Sequence, residues 1–327
     1  MKALVTGGTG FVGSPVVDRL LADGHAVRLL SRRAVTPGRY QGKSVDVVRG
    51  DLRDFSSVVS AMNGADLFFH AGEIRNVTQA ASEENVRLVE NITRHLASQK
   101  IQRFVFVSSL TVAGIPSALP ANEETTPDVV LHDHYTEYKR RAEEIVREMS
   151  GASEFAVIRP APVYGPGSRY LGKLVKAIEM FGPVGIPFIG SAANIAPLVH
   201  VQDLARAIVR AGTKPEAAGQ VFNITDGMGH TWGDLFRAVA EAAGRSVRIF
   251  PVPALLLKFS TLPFDLLSGF FGMRLDPAAY VEYFSRDLLF DTSRARALLG
   301  WSPGYSLSDG IKEMVDFYHG KLQDNSE

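Results

Sequence analysis

Only one of the nine tyrosines, Tyr135, is followed four positions later by a lysine, Lys139. The pair opens a segment, Thr136–Met149, whose pattern predicts a helix, and residues four apart share one helix face. An ammonium group beside a phenol favours the phenolate, so Lys139 is expected to bring the pKa of Tyr135 down from about 10 toward working pH. Such a tyrosine can act as the general acid/base for hydride transfer at a carbinol carbon.

Two adjacent serines could add a hydroxyl group to this chemistry. The apolar run in Arg103–Ser108 predicts a buried strand, which places Ser108 and Ser109 at its carboxyl end. Open parallel sheets bind their ligands at that end, where a hydroxyl can donate to the reacting oxygen. A purely structural serine at a strand end is the alternative.

Three glycines, Gly7, Gly10 and Gly13, have the Gly-x-x-Gly-x-x-Gly spacing and follow a predicted first strand, Lys2–Thr6. A predicted amphipathic helix, Phe11–Asp23, begins within the same motif. Glycines at this spacing allow a tight turn and bring the backbone close to a pyrophosphate, which free N–H groups at the helix N-terminus can bind. The motif therefore predicts a dinucleotide site, with a turn that binds no ligand as the alternative.

The end of the second predicted strand, Ala26–Leu30, bears on the choice between NAD and NADP. A carboxylate there would accept the ribose 2′-hydroxyl of NAD, but the chain continues with Ser31, Arg32 and Arg33. A hydroxyl and two guanidinium groups suit a 2′-phosphate instead. We expect NADP, with NAD as the alternative; two arginines on a solvated loop would be the structural explanation.

Strands and helices alternate through the first half of the chain. The remaining predicted elements of this half are the strands Val45–Arg49, Leu67–His70 and Phe155–Arg159 and the helices Phe55–Met62 and Ser82–Ser98. This alternation implies parallel strands joined by crossover helices. The sequence thus predicts an α/β fold: a Rossmann-type doubly wound parallel sheet covered on both faces.

The pattern changes in the second half, where proline, glycine and aromatic residues become dense and the elements lose their regular spacing. We therefore predict a smaller C-terminal α/β region that binds the substrate. The dinucleotide-binding domain is placed at 1–165, with returning pieces near 198–224. The smaller region is placed at 166–327, mainly 166–197 and 225–320.

Composition limits the functions that the chain can have. Its 327 residues include 35 Lys and Arg, 35 Asp and Glu, and no cysteine. Zero net charge argues against a broad nucleic-acid-binding face, and the lack of cysteine excludes disulfides, thiolate metal sites and a thiol nucleophile. His132, Asp133 and His134 have no third metal ligand nearby, so we expect a helix N-cap there and no metal. These features are typical of a cytoplasmic protein with a small-molecule substrate.

Neither a secretory leader nor a transmembrane segment is predicted. The residues after Met1 are apolar over too short a stretch for a leader. The apolar segment 249–273 is interrupted by Lys258, Asp265 and three prolines, which suits a spanning helix poorly. We expect this segment to form a lid or helix pair of the substrate region; contact with a membrane surface is the alternative.

Together these motifs resemble the extended short-chain dehydrogenase/reductases, the superfamily that contains the NAD(P)-dependent epimerases and dehydratases. The resemblance covers nearly the whole chain. Five further motifs carry it: Gly50–Leu52, His70–Gly72, Arg159–Gly167, His200–Asp203 and Leu299–Pro303. So many motifs in the same order make the resemblance specific.

The resemblance implies roles for individual residues. Ser109, counted back from Gly114, would be the catalytic serine rather than Ser108, Tyr135 the acid/base, and Lys139 the group that bonds the nicotinamide ribose and lowers the pKa of the tyrosine. Cofactor contacts are implied at Gly7, Thr9, Gly10, Phe11, Val12, Gly13, Ser31, Arg32, Arg33, Asp51, Leu52, His70, Ala71, Gly72, Asn85, Val107, Ser108, Tyr135, Lys139, Pro160 and Val163. Substrate contacts are implied at Glu73, Thr111, Pro162 and Tyr164.

Within the superfamily, the chain looks more like the 3β-hydroxysteroid dehydrogenase and dihydroflavonol reductase branches than the nucleotide-sugar enzymes. Pro162 stands where sugar-nucleotide enzymes usually have an asparagine, and Asn194–Leu198 lacks their arginine. Leu110 and Thr111 replace the Asp-Glu pair of the 4,6-dehydratases. An uncharged wall would leave a nucleotide diphosphate unpaired, which is costly.

The resemblance thus implies an NAD(P)-dependent oxidoreductase that interconverts a secondary alcohol and a ketone on an apolar small molecule. A nucleotide-sugar epimerase or dehydratase that uses the same residues is the alternative. A non-catalytic dinucleotide-binding protein is a third reading, which the presence of both Tyr135 and Lys139 disfavours. A homodimer is also implied, paired through the helices near Ser82–Ser98 and Thr136–Met149.

Overall fold

Seven parallel strands form the main sheet of the protein. The structure is a computed structural model, and it describes residues 1–33, 38–74, 78–96, 98–149, 153–252 and 277–320. The strands are β1 Lys2–Thr6, β2 Ala26–Ser31, β3 Val45–Arg49, β4 Leu67–His70, β5 Arg103–Val107, β6 Ile115–Pro116, β7 Pro127–Val129, β8 Glu154–Pro160, β9 Val163–Tyr164, β10 Ile186–Ile189, β11 Val199–His200, β12 Gln220–Ile224 and β13 Ile249–Val252. The helices are α1 Gly13–Ala22, α2 Phe55–Met62, α3 Gln79–Leu96, α4 His134–Arg147, α5 Arg169–Phe181, α6 Val201–Thr213, α7 Trp232–Ala242, α8 Pro277–Ser285, α9 Ser293–Leu299 and α10 Leu307–Tyr318.

The strand order of the main sheet is β12-β8-β5-β4-β1-β2-β3. The chain therefore builds outward from β1 through β2 to β3, and then returns to the other side of β1 with β4. Open α/β sheets bind their ligands at the carboxyl ends of the strands beside such a reversal. Thr6 and His70, the last residues of β1 and β4, are paired there. The predicted Rossmann-type doubly wound sheet is confirmed.

The two faces of the sheet are buried by different helices, which explains the unbroken apolar runs in its central strands. In β1, Ala3 and Val5 belong to the core on the side of α1 and α6, whereas Leu4 belongs to the core on the side of α2, α3 and α4. All three side chains are fully buried. This alternation with a period of two fixes which residues at the strand ends point toward the crevice.

The second half of the chain both extends the main sheet and stands outside it. β12 pairs with β8 as the outermost strand, and α6 packs against α1. Among the described residues, two small sheets of this half are separate from the main one, β10 with β13 and β9 with β11, and the antiparallel pair of β6 and β7 in the first half is separate as well. The division of the chain at residue 165 stays a prediction.

The first four residues of the apolar segment 249–273 form β13, and the rest of the segment, 253–273, lies outside the described residues together with the predictions made for it. None of the helices in the described ranges combines the length and apolar character that crossing a membrane requires.

Candidate active site

The glycine-rich loop after β1 is shaped by close backbone packing. Gly7 has a φ of +70°, and a Cβ atom on it would lie 2.6 Å from the Cα of Gly72. A Cβ on Gly13 would lie 2.1 Å from the carbonyl oxygen of Gly7. Both approaches are too short for any side chain, so the spacing found in the sequence is a steric requirement.

The N-terminus of α1 opens onto this loop. Val12 precedes the helix without a side-chain cap, and the first turn carries no acidic residue. The first N–H groups of a helix have no acceptor within the helix, and the helix dipole attracts negative charge there. The predicted contacts at Thr9, Gly10 and Phe11 lie on the same turn, where all three are at least partly exposed. These residues fit a dinucleotide pyrophosphate.

His70 closes the floor of the crevice. Its Nδ1 lies 2.8 Å from the Thr6 hydroxyl, and its ring stacks on Phe106 with centroids 6.0 Å apart. Burial, together with the charge of Lys139, lowers the pKa of His70 to about 3, so the ring is neutral. The structure therefore gives His70 a position that ties β4 to β1, beneath the predicted cofactor contacts at Ala71 and Gly72.

The end of β2 carries the residues expected to distinguish the cofactors. Arg32 and Arg33 are exposed, and neither guanidinium forms a hydrogen bond or ion pair with another described residue. The Ser31 hydroxyl accepts a hydrogen bond from the N–H of Arg33 at 3.2 Å. Two cations and a hydroxyl group thus stand together at the edge of the crevice.

The loop after β3 holds Asp51 and Leu52, two of the predicted cofactor contacts. The Asp51 carboxylate accepts the N–H of Arg53 at 2.9 Å, and the N–H of Asp51 donates to the Ser57 hydroxyl at 3.1 Å. Leu52 packs against the core on the α2 side of the sheet. The loop is therefore held in place by its own hydrogen bonds.

Asn85 on α3 is buried, and its amide group is fully used inside the protein. Its Oδ1 accepts the N–H of Ile74 at 2.8 Å, and its Nδ2 donates to the carbonyl oxygens of Ile74 and Ala81 at 2.9 and 2.8 Å. Asn85 was predicted to contact the cofactor. The structure instead shows it fixing the segment that follows Gly72, so its influence on a cofactor would be indirect.

Helix α4 begins two residues earlier than predicted because Asp133 caps it. The Asp133 carboxylate accepts the N–H groups of Tyr135 and Thr136, each at 3.0 Å. The predicted N-cap at His132–His134 is thus present. Within the described part of the chain, no group of three or more His, Asp or Glu side chains is arranged to hold a metal ion.

The structure brings Tyr135 and Lys139 together on the inner face of α4. The Lys139 ammonium group lies 5.6 Å from the centroid of the Tyr135 ring and donates to the Val107 carbonyl oxygen at 2.9 Å. It is also 3.6 Å from a carboxylate oxygen of Glu73. Glu73, predicted as a substrate contact, is therefore a neighbour of the predicted catalytic pair.

The ionisation of Tyr135 differs from the expectation. Burial, followed by the negative charge of Glu73, raises the pKa of Tyr135 above its ordinary value, and the neighbouring Ser109 hydroxyl only partly opposes this. Burial also lowers the pKa of Lys139, although Glu73 counteracts that shift. The pKa of Tyr135 therefore shifts in the direction opposite to the predicted one, because burial of the phenol and the Glu73 charge dominate.

The two serines after β5 face in different directions. The Ser109 oxygen accepts hydrogen bonds from the hydroxyl and the N–H of Thr111, at 2.9 and 3.3 Å, which leaves its own O–H free to donate. The Ser108 hydroxyl is buried and donates to a carboxylate oxygen of Glu143 at 2.5 Å. Ser109 is therefore the serine whose hydroxyl is available near Tyr135.

Sequence reasoning missed a buried ion pair beside the site. The Arg159 guanidinium donates to both carboxylate oxygens of Glu143, with distances of 3.0, 3.0 and 2.7 Å. The signal was present: Glu143 lies four residues after Lys139 on the buried helix face, and Arg159 interrupts an apolar strand. A charged residue on each of two packed apolar faces indicates a partnership.

The segment after β8 carries the remaining predicted contacts. Pro162 is exposed, whereas Pro160 and Val163 are partly buried. Tyr164 is fully buried and packs edge-on against His200, with ring centroids 5.2 Å apart. The predicted substrate contact at Tyr164 is therefore not supported, because the ring belongs to the core.

A sequence profile described as the NAD dependent epimerase/dehydratase family matches residues 3–225. The chain belongs to this family and is an NAD(P)-dependent enzyme of the extended short-chain dehydrogenase/reductase type. A 3-beta-hydroxysteroid dehydrogenase of Mycolicibacterium neoaurum is 29% identical over 97% of this chain and 91% of its own. A UDP-glucose 4-epimerase of Vibrio cholerae is 27% identical over 96% of this chain and 94% of its own.

A solved structure has the same fold. The UDP-glucuronic acid 4-epimerase of Bacillus cereus, in complex with UDP-glucuronic acid and NAD, is 21% identical to this chain with a TM-score of 0.76. The match covers 98% of this chain and 100% of that one. At this identity the likeness shows the fold alone, and the relatives include both dehydrogenases and epimerases.

Proposed function

We propose that this enzyme interconverts a secondary alcohol and a ketone on an apolar small molecule. The observation that carries the chemistry is the grouping of Tyr135, Lys139 and the free Ser109 hydroxyl at the carboxyl end of β5. A bound nicotinamide dinucleotide supplies the hydride or accepts it. Tyr135 donates the proton to the ketone oxygen, or takes it from the alcohol, while Ser109 holds that oxygen.

The ionisation of the site supports proton donation by Tyr135. Because burial and Glu73 raise the pKa of its phenol, the neutral form is present at physiological pH. This is the form that ketone reduction requires. When the proton has left, the Lys139 ammonium stabilises the phenolate.

The substrate class is inferred from the segment 191–198, which lacks the arginine that sugar-nucleotide enzymes usually carry. Residues 191–198 carry no cationic side chain. Their polar groups are already occupied: the Asn194 amide donates to the Phe284 carbonyl oxygen at 3.1 Å, and the N–H of Ile195 donates to Asp287 at 2.8 Å. A diphosphate would find no compensating charge there, whereas an apolar substrate needs none.

Nucleotide-sugar epimerisation is the second candidate, supported by the relative of that name in Vibrio cholerae. The same tyrosine would then remove a proton as hydride leaves the sugar, and would return it after the hydride comes back to the other face. Such a reaction produces no net change in the nicotinamide. This property separates the two candidates.

The test is to incubate the purified protein with NADPH or NADP and follow the nicotinamide absorbance with a 3-ketosteroid, a 3β-hydroxysteroid and UDP-glucose. We expect a net change with the steroids, and a loss of about 10² to 10⁴-fold in Tyr135→Phe. Tyr318→Phe is the control, because it also removes one tyrosine hydroxyl, which here donates a hydrogen bond to the Ser168 carbonyl oxygen. Conversion of UDP-glucose without a net absorbance change would reject the dehydrogenase proposal.

NADP is proposed as the preferred cofactor because Arg32, Arg33 and Ser31 stand together without a carboxylate partner among the described residues. Arg32→Ala should raise the KM for NADP about tenfold, since a charged hydrogen bond to phosphate contributes on the order of 1.5–3 kcal/mol. The KM for NAD should be unaffected. Equal use of both cofactors by the unaltered enzyme would contradict this preference.

The proposal also includes the division of the chain at residue 165, a cytoplasmic location and a homodimer paired through α3 and α4. These two helices pack against each other, so they form one continuous surface. Light scattering of the purified protein distinguishes a dimer from a monomer.

A further inference from the structure

Lys139 is a buried lysine whose ammonium group has few polar neighbours. Its side chain is only 7% exposed, yet among the described residues its ammonium group has one hydrogen bond, to the Val107 carbonyl oxygen, and one ion pair, with the Glu73 carboxylate. Otherwise it faces the rings of Phe106 and Tyr138, at 5.3 and 4.9 Å from their centroids. A buried ammonium without a counter-ion is costly, so a carboxylate is required here.

Two carboxylates lie near enough to act as that counter-ion. Glu143 is one helical turn away, but its oxygens already accept three hydrogen bonds from Arg159 and one from Ser108. Glu73 accepts no hydrogen bond from an arginine or a serine in the part of the chain that the structure describes, and its oxygen is 3.6 Å from the Lys139 nitrogen. Glu73 is therefore the group whose charge is available to Lys139.

Glu73 also reaches Lys139 from a fixed position. It stands between Gly72, whose backbone packs against Gly7, and Ile74, whose N–H and carbonyl groups are both bonded to Asn85. Its carboxylate is 37% exposed, so water reaches one side of the pair. A rigid backbone thus holds a solvated carboxylate over a buried ammonium.

We propose that Glu73 is a positioning residue of this site: its carboxylate is the counter-ion that keeps the Lys139 ammonium charged and in place beside Tyr135. This inference deepens the proposed function, because it rests on the role of Lys139 as the partner of the catalytic tyrosine. Glu73 lies outside the Tyr-x-x-x-Lys motif and 66 positions before Lys139 in the chain. The motif alone therefore does not define the working pair.

The pKa shifts of Lys139 and Tyr135 have the directions expected from a negative charge at Glu73. The Glu73 charge raises the pKa of Lys139 against the effect of burial, and it raises that of Tyr135 in the same sense as burial. The other ionisable groups that face the pair come from β4, α4 and α5 and from the residue before α4: His70, Tyr138, Glu143, Tyr170 and Asp133. His70 is neutral and the charge of Glu143 is paired with Arg159. A substitution that removes the charge of Glu73 therefore tests the effect of that charge on Lys139 alone.

The experiment compares Glu73→Gln with Glu84→Gln. The Glu84 side chain pairs with Arg53 at 3.4 Å and is 40% exposed. Glu84→Gln therefore removes an ion pair of similar length, from a glutamate of similar exposure, that does not involve Lys139. The lysine side chains are labelled with ¹³C at Cε, and Lys139 is assigned by the resonance that disappears in Lys139→Met. We expect the titration midpoint of Lys139 to fall by about one pH unit in Glu73→Gln and to stay unchanged in Glu84→Gln.

A second readout follows the acid/base function. The limb of the alcohol-oxidation pH profile that reports Tyr135 should move to lower pH in Glu73→Gln, and Glu73→Asp should restore part of the shift. An unchanged Lys139 midpoint in Glu73→Gln overturns the inference, even if Tyr135→Phe is inactive. Full activity of Tyr135→Phe, together with a shifted Lys139 midpoint, overturns the proposed function and leaves Glu73 as the counter-ion of Lys139 without a role in positioning a catalytic group.

Discussion

Lys139 and Glu143 lie one helical turn apart on the inner face of α4. Both are buried charged side chains, but they differ in how many hydrogen bonds their charged groups form. Glu143 is saturated, with three hydrogen bonds from Arg159 and one from Ser108. Lys139 has one carbonyl at 2.9 Å and a partly solvated carboxylate at 3.6 Å. A saturated carboxylate has no capacity left for a ligand, whereas the lysine keeps some of its donors.

This difference suggests two roles along a single helix: we expect the end at Glu143, the holding end, to stabilise the fold, and we propose that the end at Lys139, the reacting end, takes part in the reaction. The pair of Glu143 and Arg159 fastens α4 to the end of β8, while Lys139 lies beside Tyr135 and Glu73. Hydrogen-bond saturation, more than burial or charge, distinguishes the two ends. The following predictions test that distinction, beginning with the largest effect.

The reacting end should be needed for activity but not for folding. Lys139→Met is expected to lower kcat/KM about 10³-fold, because the charge that stabilises the Tyr135 phenolate is lost. The urea midpoint should stay the same or rise, since a buried ammonium is removed and Glu73 can be hydrated. The exposed Lys176 supplies the control, Lys176→Met. A large fall in stability without loss of activity would reverse the assignment of the two ends.

The holding end should show the opposite result. Glu143→Gln keeps the shape of the side chain but leaves the buried Arg159 charge uncompensated, so the free energy of unfolding should fall by about 3 kcal/mol. The activity per folded molecule should fall less than tenfold. Urea denaturation measures the first quantity and titration of folded protein the second. A stable but inactive Glu143→Gln protein would place Glu143 in the catalytic machinery.

The neighbouring serines provide the same contrast within one dipeptide. Ser109→Ala removes the free hydroxyl and should lower kcat about 10²-fold with little change in stability. Ser108→Ala removes a buried hydrogen bond to Glu143 and should lower the free energy of unfolding by about 2 kcal/mol. The two variants differ from the parent by one oxygen atom each, so each is the control for the other. Equal losses of kcat in both would remove the distinction between the serines.

His70 gives the smallest effect, which appears in the pH dependence of stability. Burial lowers its pKa in the folded protein to about 3, below the value of about 6.5 expected after unfolding. The unfolded chain therefore binds the extra proton, and the stability contributed above pH 6.5 is lost as the pH falls toward 3. Between pH 7.5 and 5, His70 should account for about 2 kcal/mol of the loss.

His70→Gln should flatten that dependence, measured by urea denaturation at each pH. His200, whose pKa burial lowers to about 4, adds a similar slope that remains in the variant. An unchanged slope in His70→Gln would show that His70 is not buried in its neutral form.

The sequence predicts well the sheet and the placement of Tyr135 beside Lys139, because both depend on local spacing. The boundaries of β1, β3 and β4 match the predictions, and the four-residue spacing does bring Tyr135 and Lys139 onto one face. The ends of α1, α3 and α4 differ by about two residues, because caps such as Asp133 decide where a helix begins.

What the sequence does not predict depends on contacts between distant residues. Nothing in the spacing of the chain indicates that Glu73 meets Lys139, that Asn85 bonds to the backbone of Ile74, or that Tyr164 is buried against His200. The direction of the Tyr135 pKa shift was mispredicted for the same reason. It depends on how deeply the phenol is buried and on Glu73, and both follow from tertiary packing.

The contact between Gly7 and Gly72 has a practical consequence for engineering. The two loops touch through their backbones, and Glu73 is the next residue after Gly72. The loop proposed to bind the pyrophosphate and the residue that pairs with Lys139 are thus linked through one backbone contact. A designer who changes cofactor preference by grafting the loop after β1 must transplant the loop after β4 with it, because a mismatch at this contact would also displace Glu73 relative to Lys139.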